Sequence, residues 1–199
     1  MHISDGVLPT AVLAGGYAVG GVLCAWSAMK MRDEEIPRTA VFTAAFFLAS
    51  LIHFKFAITS VHLLMNGLVG IVLGKRCCLA ISVGLFLQAV LFGHGGLSVL
   101  GVNICIFSLP ALFVWQLFEK MKHINSFLIG GLCGALAVML SGVLFMLTLL
   151  TVDESFQTLA ELALVAHIPV MIIEGIVTGF TVDFLSRVQP VLLRKEVSL

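Results

Sequence analysis

Seven apolar runs, at about residues 8–30, 39–54, 61–74, 77–93, 99–118, 126–152 and 162–186, take up most of the chain. A helix that crosses a bilayer needs roughly 20 such residues. Within lipid, only helices and closed barrels satisfy every backbone polar group. Charged residues make up 11% of the chain, against roughly 25% in soluble domains, which excludes a water-soluble globule. The pattern predicts an all-α integral membrane protein, a seven-transmembrane-helix bundle. The third run is short for a full crossing and is expected to begin within protein. No linker or low-complexity tract interrupts the runs, so residues 1–199 read as a single membrane domain.

The loop charges set an expected orientation. With the N-terminus outside and the C-terminus cytoplasmic, Lys30, Arg32, Arg38, Lys75, Arg76, Lys120, Lys122, Arg187, Arg194 and Lys195 fall inside, and Lys55 alone falls outside. That is the bias that cytoplasmic loops carry. The net charge of zero argues against a nucleic-acid partner. The first 29 residues hold no Lys or Arg, so the positive n-region of a signal peptide is missing and Met1 is expected to be the mature terminus. The five cysteines, Cys24, Cys77, Cys78, Cys105 and Cys133, lack CxxC spacing and read as small packing residues. The glycines in "GGYAVGG", at 67, 70 and 74, and at 130, 131 and 134 read as close-approach positions between helices.

The opening "MHISDGVLP" carries the sharpest chemical signal. A free α-amine, the amide nitrogen of residue 2 and the Nδ1 of a residue-2 histidine chelate one metal through three coplanar nitrogens. Ni²⁺ and Cu²⁺ suit such a site, and Co²⁺ is compatible with it. A fourth ligand would close the square. His53, His62, His94 and His167 are all expected near the outer face, each equally compatible with an interfacial or hydrogen-bonded histidine. His123, in "EKMKHIN", reads as a solvated loop residue.

Glu174, in "MIIEGIVTG", lies near the middle of the last run, where a carboxylate is costly and should face the bundle interior. It fits a proton relay, a metal ligand or a hydrogen-bond anchor between helices, with Asn66, Gln88 and Asn103 as partners. There is no HExxH, GxSxG or phosphate-binding loop. The chain is therefore expected to hydrolyse no ATP, so active transport would be powered elsewhere.

Four blocks, "MHISDGVLP", "SVHLLMNGLVGIVLG" at 60–74, "LFGHGGLSVLGVN" at 91–103 and "AHIPVMIIEGIVTGF" at 166–180, together resemble the CbiM/NikM family. These are the substrate-binding components of energy-coupling-factor cobalt and nickel transporters. The resemblance covers essentially the whole chain. It implies a multi-pass protein of the cell (inner) membrane, with an N-terminal metal-binding segment and extra helix at 1–31 and a six-helix core at 39–186. It implies that Ni²⁺ or Co²⁺ is the transported substrate, held by the amine of Met1, the amide nitrogen and ring of His2, and His62. Asp5, Ser60, Asn66, His94 and Asn103 would order the surrounding loops or ligands, with His167 and Glu174 as intramembrane polar candidates. No organic cofactor is implied.

The resemblance further implies docking on a transmembrane coupling (T) subunit driven by two cytoplasmic ATPase subunits, with a small accessory membrane subunit as a further partner. Ala40 and Ala44, or Ala45 and Ala49, offer a small-residue ridge for that contact, and bundle packing explains them as well. "HFKFAITS" before His62, with Lys55, departs from the Pro/Gly-rich loop common among relatives. One rival reading is a membrane-embedded enzyme or electron-transfer subunit with histidine-bound haem or zinc. That reading requires paired histidines at similar depth beside an acid or base. A second rival is a structural membrane subunit with no ligand.

Overall fold

The computed structural model describes residues 2–56, 59–121, 123–152 and 157–193, without the side chains of 53–61, 157, 159 and 160. Eight α-helices are found among the described residues: α1 (Thr10–Ala28), α2 (Glu35–Ala49), α3 (Asn66–Leu73), α4 (Cys77–Phe92), α5 (Leu100–Met121), α6 (Ser126–Leu149), α7 (Gln157–Ala166) and α8 (Ile168–Val188). One antiparallel hairpin, β1 (His53–Phe56) and β2 (Thr59–His62), stands between α2 and α3, with His53 opposite His62.

Local chemistry sets several boundaries. The Asn125 side chain accepts from the backbone N–H groups of Phe127 and Leu128, satisfying donors that the start of α6 would otherwise leave open. Pro169, in the first turn of α8, has no N–H to continue the helix from α7. The last apolar run therefore breaks at His167. Gly93 takes φ +66 and closes α4, directing the His94 N–H back to the Gln88 carbonyl at 3.2 Å.

Five stretches are long and apolar enough to cross a membrane: Thr10–Ala28, Asn66–Phe92, Leu100–Met121, Ser126–Leu149 and Glu161–Val188. The second of these is not a straight rod. Extended as one helix, 66–92 would be about 40 Å long, yet the His62 and His94 rings that flank it lie 6.5 Å apart. The chain reverses through the 3-10 turn at Gly74–Arg76, so α3 descends and α4 returns. α2 has 15 residues and α3 has eight, both shorter than a straight crossing.

α3 and α4 form the centre, with 83% of their apolar window buried, whereas α1 is peripheral at 11%. α6 lies so close to α8 that a Cβ on Gly134 would come 2.6 Å from Thr178 Oγ1. All five cysteines are free, and Cys77, Cys78 and Cys133 are buried in the packing.

The bundle has two chemically different ends. At one, Arg76 donates to the carbonyls of Ser27, Met29 and Lys30 at the end of α1 and pairs bidentately with Glu35, both contacts at 2.8 Å. Lys30, Arg32, Arg38 and Lys75 lie beside it in chain position. The other end, a full length of α1 away, gathers His2, His62 and His94.

Candidate metal centre

The segment from His2 to Leu8 folds back over the bundle before α1 begins and is held by side chains far along the chain. Asn103, on α5, receives the Ile3 N–H at Oδ1 and donates from Nδ2 to the Ile3 carbonyl, both at 3.1 Å. Its amide thus acts on the tail as a neighbouring strand would. The Asp5 N–H donates to the Gly95 carbonyl at 3.0 Å. The Asp5 carboxylate accepts from Ser98 N at 3.0 Å and Ser98 Oγ at 2.5 Å.

The Gly-rich turn after α4 is what lets the tail in. Gly95 has φ +79, and a Cβ there would stand 2.8 Å from Asn103 Nδ2 and 3.5 Å from His2 Cβ. A Cβ on Gly96, φ +123, would overlap the Asp5 carboxylate. Side chains at these positions would occupy the space the tail fills.

The tail places His2 among two other imidazoles. His2 Nδ1 lies 3.2 Å from His62 Nε2. The outer nitrogen of each ring is tied: His2 Nε2 to Gln88 Oε1 at 2.9 Å, and His62 Nδ1 to the Leu63 carbonyl at 2.8 Å. Carbonyl and amide oxygens only accept, so these two contacts favour the proton on each outer nitrogen and turn the two inner nitrogens toward each other. His94 stands parallel to His62 within 4°, with ring centroids 6.5 Å apart, and 6.1 Å from His2. Phe107 covers the cluster at 5.3 Å from His2. Burial above all, with the neighbouring His62 and His94 rings among the lesser causes, holds the His2 ring well below the ordinary histidine range. The ring is neutral and available as a ligand at neutral pH.

Among the described residues, no three His, Cys, Asp or Glu side chains converge closely enough to hold a metal by themselves. A metal at the His2–His62 gap would therefore draw on main-chain nitrogen too, and the His2 amide is adjacent. The direct ring contact also leaves no slot for a flat macrocycle between the two histidines.

The turn that presents His62 is itself anchored from within the bundle. Glu174, fully buried on α8, accepts at Oε1 from the N–H groups of Leu64 and Met65, the latter at 2.8 Å. Met65 has φ 54, a left-handed conformation that costs about 1–3 kcal/mol and needs such support. The sequence pointed to Asn66, Gln88 and Asn103 as partners of Glu174, but the carboxylate binds backbone instead. Those three amides are engaged elsewhere.

The structure thus brings His2, His62 and His94 together, with Asp5 and Asn103 holding the tail. It places Asn66 deeper, donating to the Phe107 carbonyl and to Ser141 Oγ. His167 sits apart, at the α7–α8 break, with Nδ1 bonded to the Ala163 carbonyl. His123 is exposed in the turn between α5 and α6. Met1 lies outside the described residues, as do the side chains of His53, Lys55 and Ser60. Two contributors were not singled out for this site from sequence, Gln88 and Ser98. A glutamine inside the apolar run 77–93, six residues before His94, was the available signal for the first.

Comparison with known proteins gives the same direction. A family model described as the cobalt uptake substrate-specific transmembrane region, CbiM, matches residues 2–192. The chain is 35% identical over 201 residues to a Haemophilus influenzae protein named "Putative metal transport protein", covering 98% of each. Two longer relatives contain the same stretch. One is the "Putative fused nickel transport protein NikMN" of Archaeoglobus fulgidus, 23% identical over all of this chain and 70% of that protein. The other is the "Putative fused cobalt transport protein CbiMQ" of Methanocorpusculum labreanum, 26% identical over 96% of this chain and 36% of that protein. A crystal structure of a transition metal transporter shares the fold, with a TM-score of 0.83, 23% identity, and coverage of 94% of this chain and 93% of that one.

Proposed function

This chain belongs to the family of cobalt uptake substrate-specific transmembrane regions, and we propose that it binds Ni²⁺ or Co²⁺ at the His2–His62 centre for import. It is a multi-pass membrane protein of a transport family, not an enzyme. The observation that carries the reading is the pair of imidazole nitrogens facing each other across 3.2 Å, each ring held by an oxygen acceptor behind it. Two neutral acceptors so placed repel unless a cation lies between them. Two nitrogens at this separation can share a metal about 2.0–2.1 Å from each, with an angle of roughly 100° at the metal, near that of a cis pair.

The four donors are the amine of Met1, the amide nitrogen and Nδ1 of His2, and Nε2 of His62. Each must be free of its proton to bind, so loading releases protons and weakens in acid. His94, beside the pair, and Asp5 with Asn103, on the tail, keep the donors in place. The metal enters from outside, consistent with the basic residues gathered at the opposite end of the bundle. Release inside is driven by partners of the energy-coupling-factor type, a transmembrane coupling subunit and two ATPases. The fused relatives support association with further transport components.

The test is binding of Ni²⁺ and Co²⁺ to the purified protein, with and without one residue added ahead of Met1. The extension leaves every side chain in place and moves the amine away from His2. Binding should collapse in the extended form. Unchanged binding would remove the amine from the ligand set and return the site to the imidazoles alone.

A further inference from the structure

We infer that Gln88 is a positioning residue that selects the metal-binding tautomer of His2; the inference rests on the metal reading above. An imidazole next to a second imidazole has two neutral arrangements. In one, His2 carries its proton on Nδ1 and donates it to His62 Nε2, which closes the pair with a hydrogen bond and leaves no lone pair for a metal. In the other, the proton is on Nε2 and Nδ1 is open. Only the second can chelate with the amide of the same residue.

Gln88 Oε1, 2.9 Å from His2 Nε2, accepts a proton there and so favours the second arrangement. This is the one hydrogen bond the side chain makes among the described residues. Gln88 is 1% exposed, and its Nε2 has no hydrogen-bond partner among the described residues. A buried amide left half-satisfied is costly. A leucine would fill the same volume within the apolar run without that cost, so packing alone does not account for a glutamine. Its position is fixed by the end of α4, where the Gln88 carbonyl accepts the His94 N–H. The same helix end thus carries both the tautomer-setting amide and the third ring of the cluster.

His62 obeys the same logic through a different device, the Leu63 carbonyl on its own backbone. A backbone acceptor comes with the turn. His2 lies in a tail with no such neighbour, and the acceptor has to come from 86 positions away. Outer partners of this kind fix ring orientation and tautomer, and losing one costs about 10–100-fold in metal affinity.

The test uses the full chain in detergent with ¹⁵N-labelled histidine, comparing wild type, Gln88→Leu and Gln88→Glu. In metal-free wild type, ¹⁵N–¹H correlation should find the His2 proton on Nε2. Gln88→Leu should move it to Nδ1 and lower Ni²⁺ affinity about 10–100-fold, without lowering the melting temperature of the metal-free protein. Gln88→Glu keeps an acceptor and should restore both the tautomer and the binding. A wild-type proton on Nδ1, a leucine variant identical to wild type, or leucine and glutamate variants weakened equally would each overturn the inference. The metal reading fails separately, if wild type does not bind Ni²⁺ or His2→Ala binds it as wild type does, and the tautomer measurement still decides the role of Gln88.

Discussion

His2 and His62 stand 60 positions apart in sequence, yet their rings meet Nδ1 to Nε2 at 3.2 Å, each backed by a hydrogen bond on its far side. His62 comes from the end of a strand and His2 from a tail with no secondary structure of its own. The pair exists only because the two are brought together over the mouth of the α3–α4 hairpin. On the proposed ligand set, His62→Ala leaves three nitrogens and an open fourth position. Ni²⁺ affinity should fall by more than the about 10–100-fold typical of losing an outer partner, measured by calorimetric titration. The absorption of the remaining complex should shift to longer wavelength as water replaces imidazole.

Gly95→Ala tests whether the tail has to occupy its channel. The added Cβ would be 2.8 Å from Asn103 Nδ2, and φ +79 strains any L side chain, at about 1–3 kcal/mol. The tail is the movable part, since Asn103 is fixed on α5. Metal binding should weaken at least tenfold while the helical content seen by circular dichroism stays the same. Retention of full affinity would mean that the tail binds metal without docking.

Glu174 separates support of the His62 turn from a role in carrying protons. Glu174→Leu leaves the buried N–H groups of Leu64 and Met65 without an acceptor, at about 1–3 kcal/mol each. It should therefore lower both the melting temperature and the metal affinity. Glu174→Gln keeps a carbonyl oxygen able to accept both bonds and should remain close to wild type in both measurements. A glutamine variant that binds metal normally but fails in transport would instead assign the carboxyl a proton-carrying role.

The Glu35–Arg76 pair gives stability a defined pH dependence. The Arg76 guanidinium, through its hydrogen bonds, holds the Glu35 carboxyl down at about 2, against an ordinary 4.5. A depressed carboxyl stabilises fully above its unfolded value and loses that contribution as pH falls through the folded one. The melting temperature should hold from pH 7 to about 5 and fall between about 4.5 and 2, with that part of the fall absent in Glu35→Gln. Arg76→Ala strands a buried carboxylate and three carbonyls, and breaking such a pair costs about 3–5 kcal/mol.

The long elements were legible from hydropathy. The runs 8–30, 99–118 and 126–152 correspond to Thr10–Ala28, Leu100–Met121 and Ser126–Leu149, because a helix satisfies its own backbone wherever lipid or protein surrounds it. The short elements were not. Residues 59–62 pair as a strand and α3 starts only at Asn66, although 61–74 reads as one largely apolar run, because hydropathy does not tell a buried strand end from a helix start. The break at His167 depends on Pro169, a local signal that apolar content masked. At the site, His2 and His62 stand out as polar residues in an apolar chain, and the Gly-rich turn at 93–96 marks an unusual backbone. Gln88 was visible as an oddity, but its partner was not, since the contact depends on where a tail 86 residues away comes to rest. His167, equally polar and equally near a helix end, faces a different neighbour.

The docked tail also has a kinetic meaning. His2 is separated from α1 by only seven residues, and Asn103, Gly95 and Ser98 hold the stretch between them. On the proposed ligand set, the tail is in effect a peptide ligand tethered next to its own receptor, where short linkers give effective concentrations of order millimolar. A chain lacking the tail should recover metal binding when the free peptide Met-His-Ile-Ser-Asp is supplied, but only as the peptide approaches that range. On that reading, covalent attachment to α1 would spare the protein from recruiting its metal ligand out of solution at each cycle.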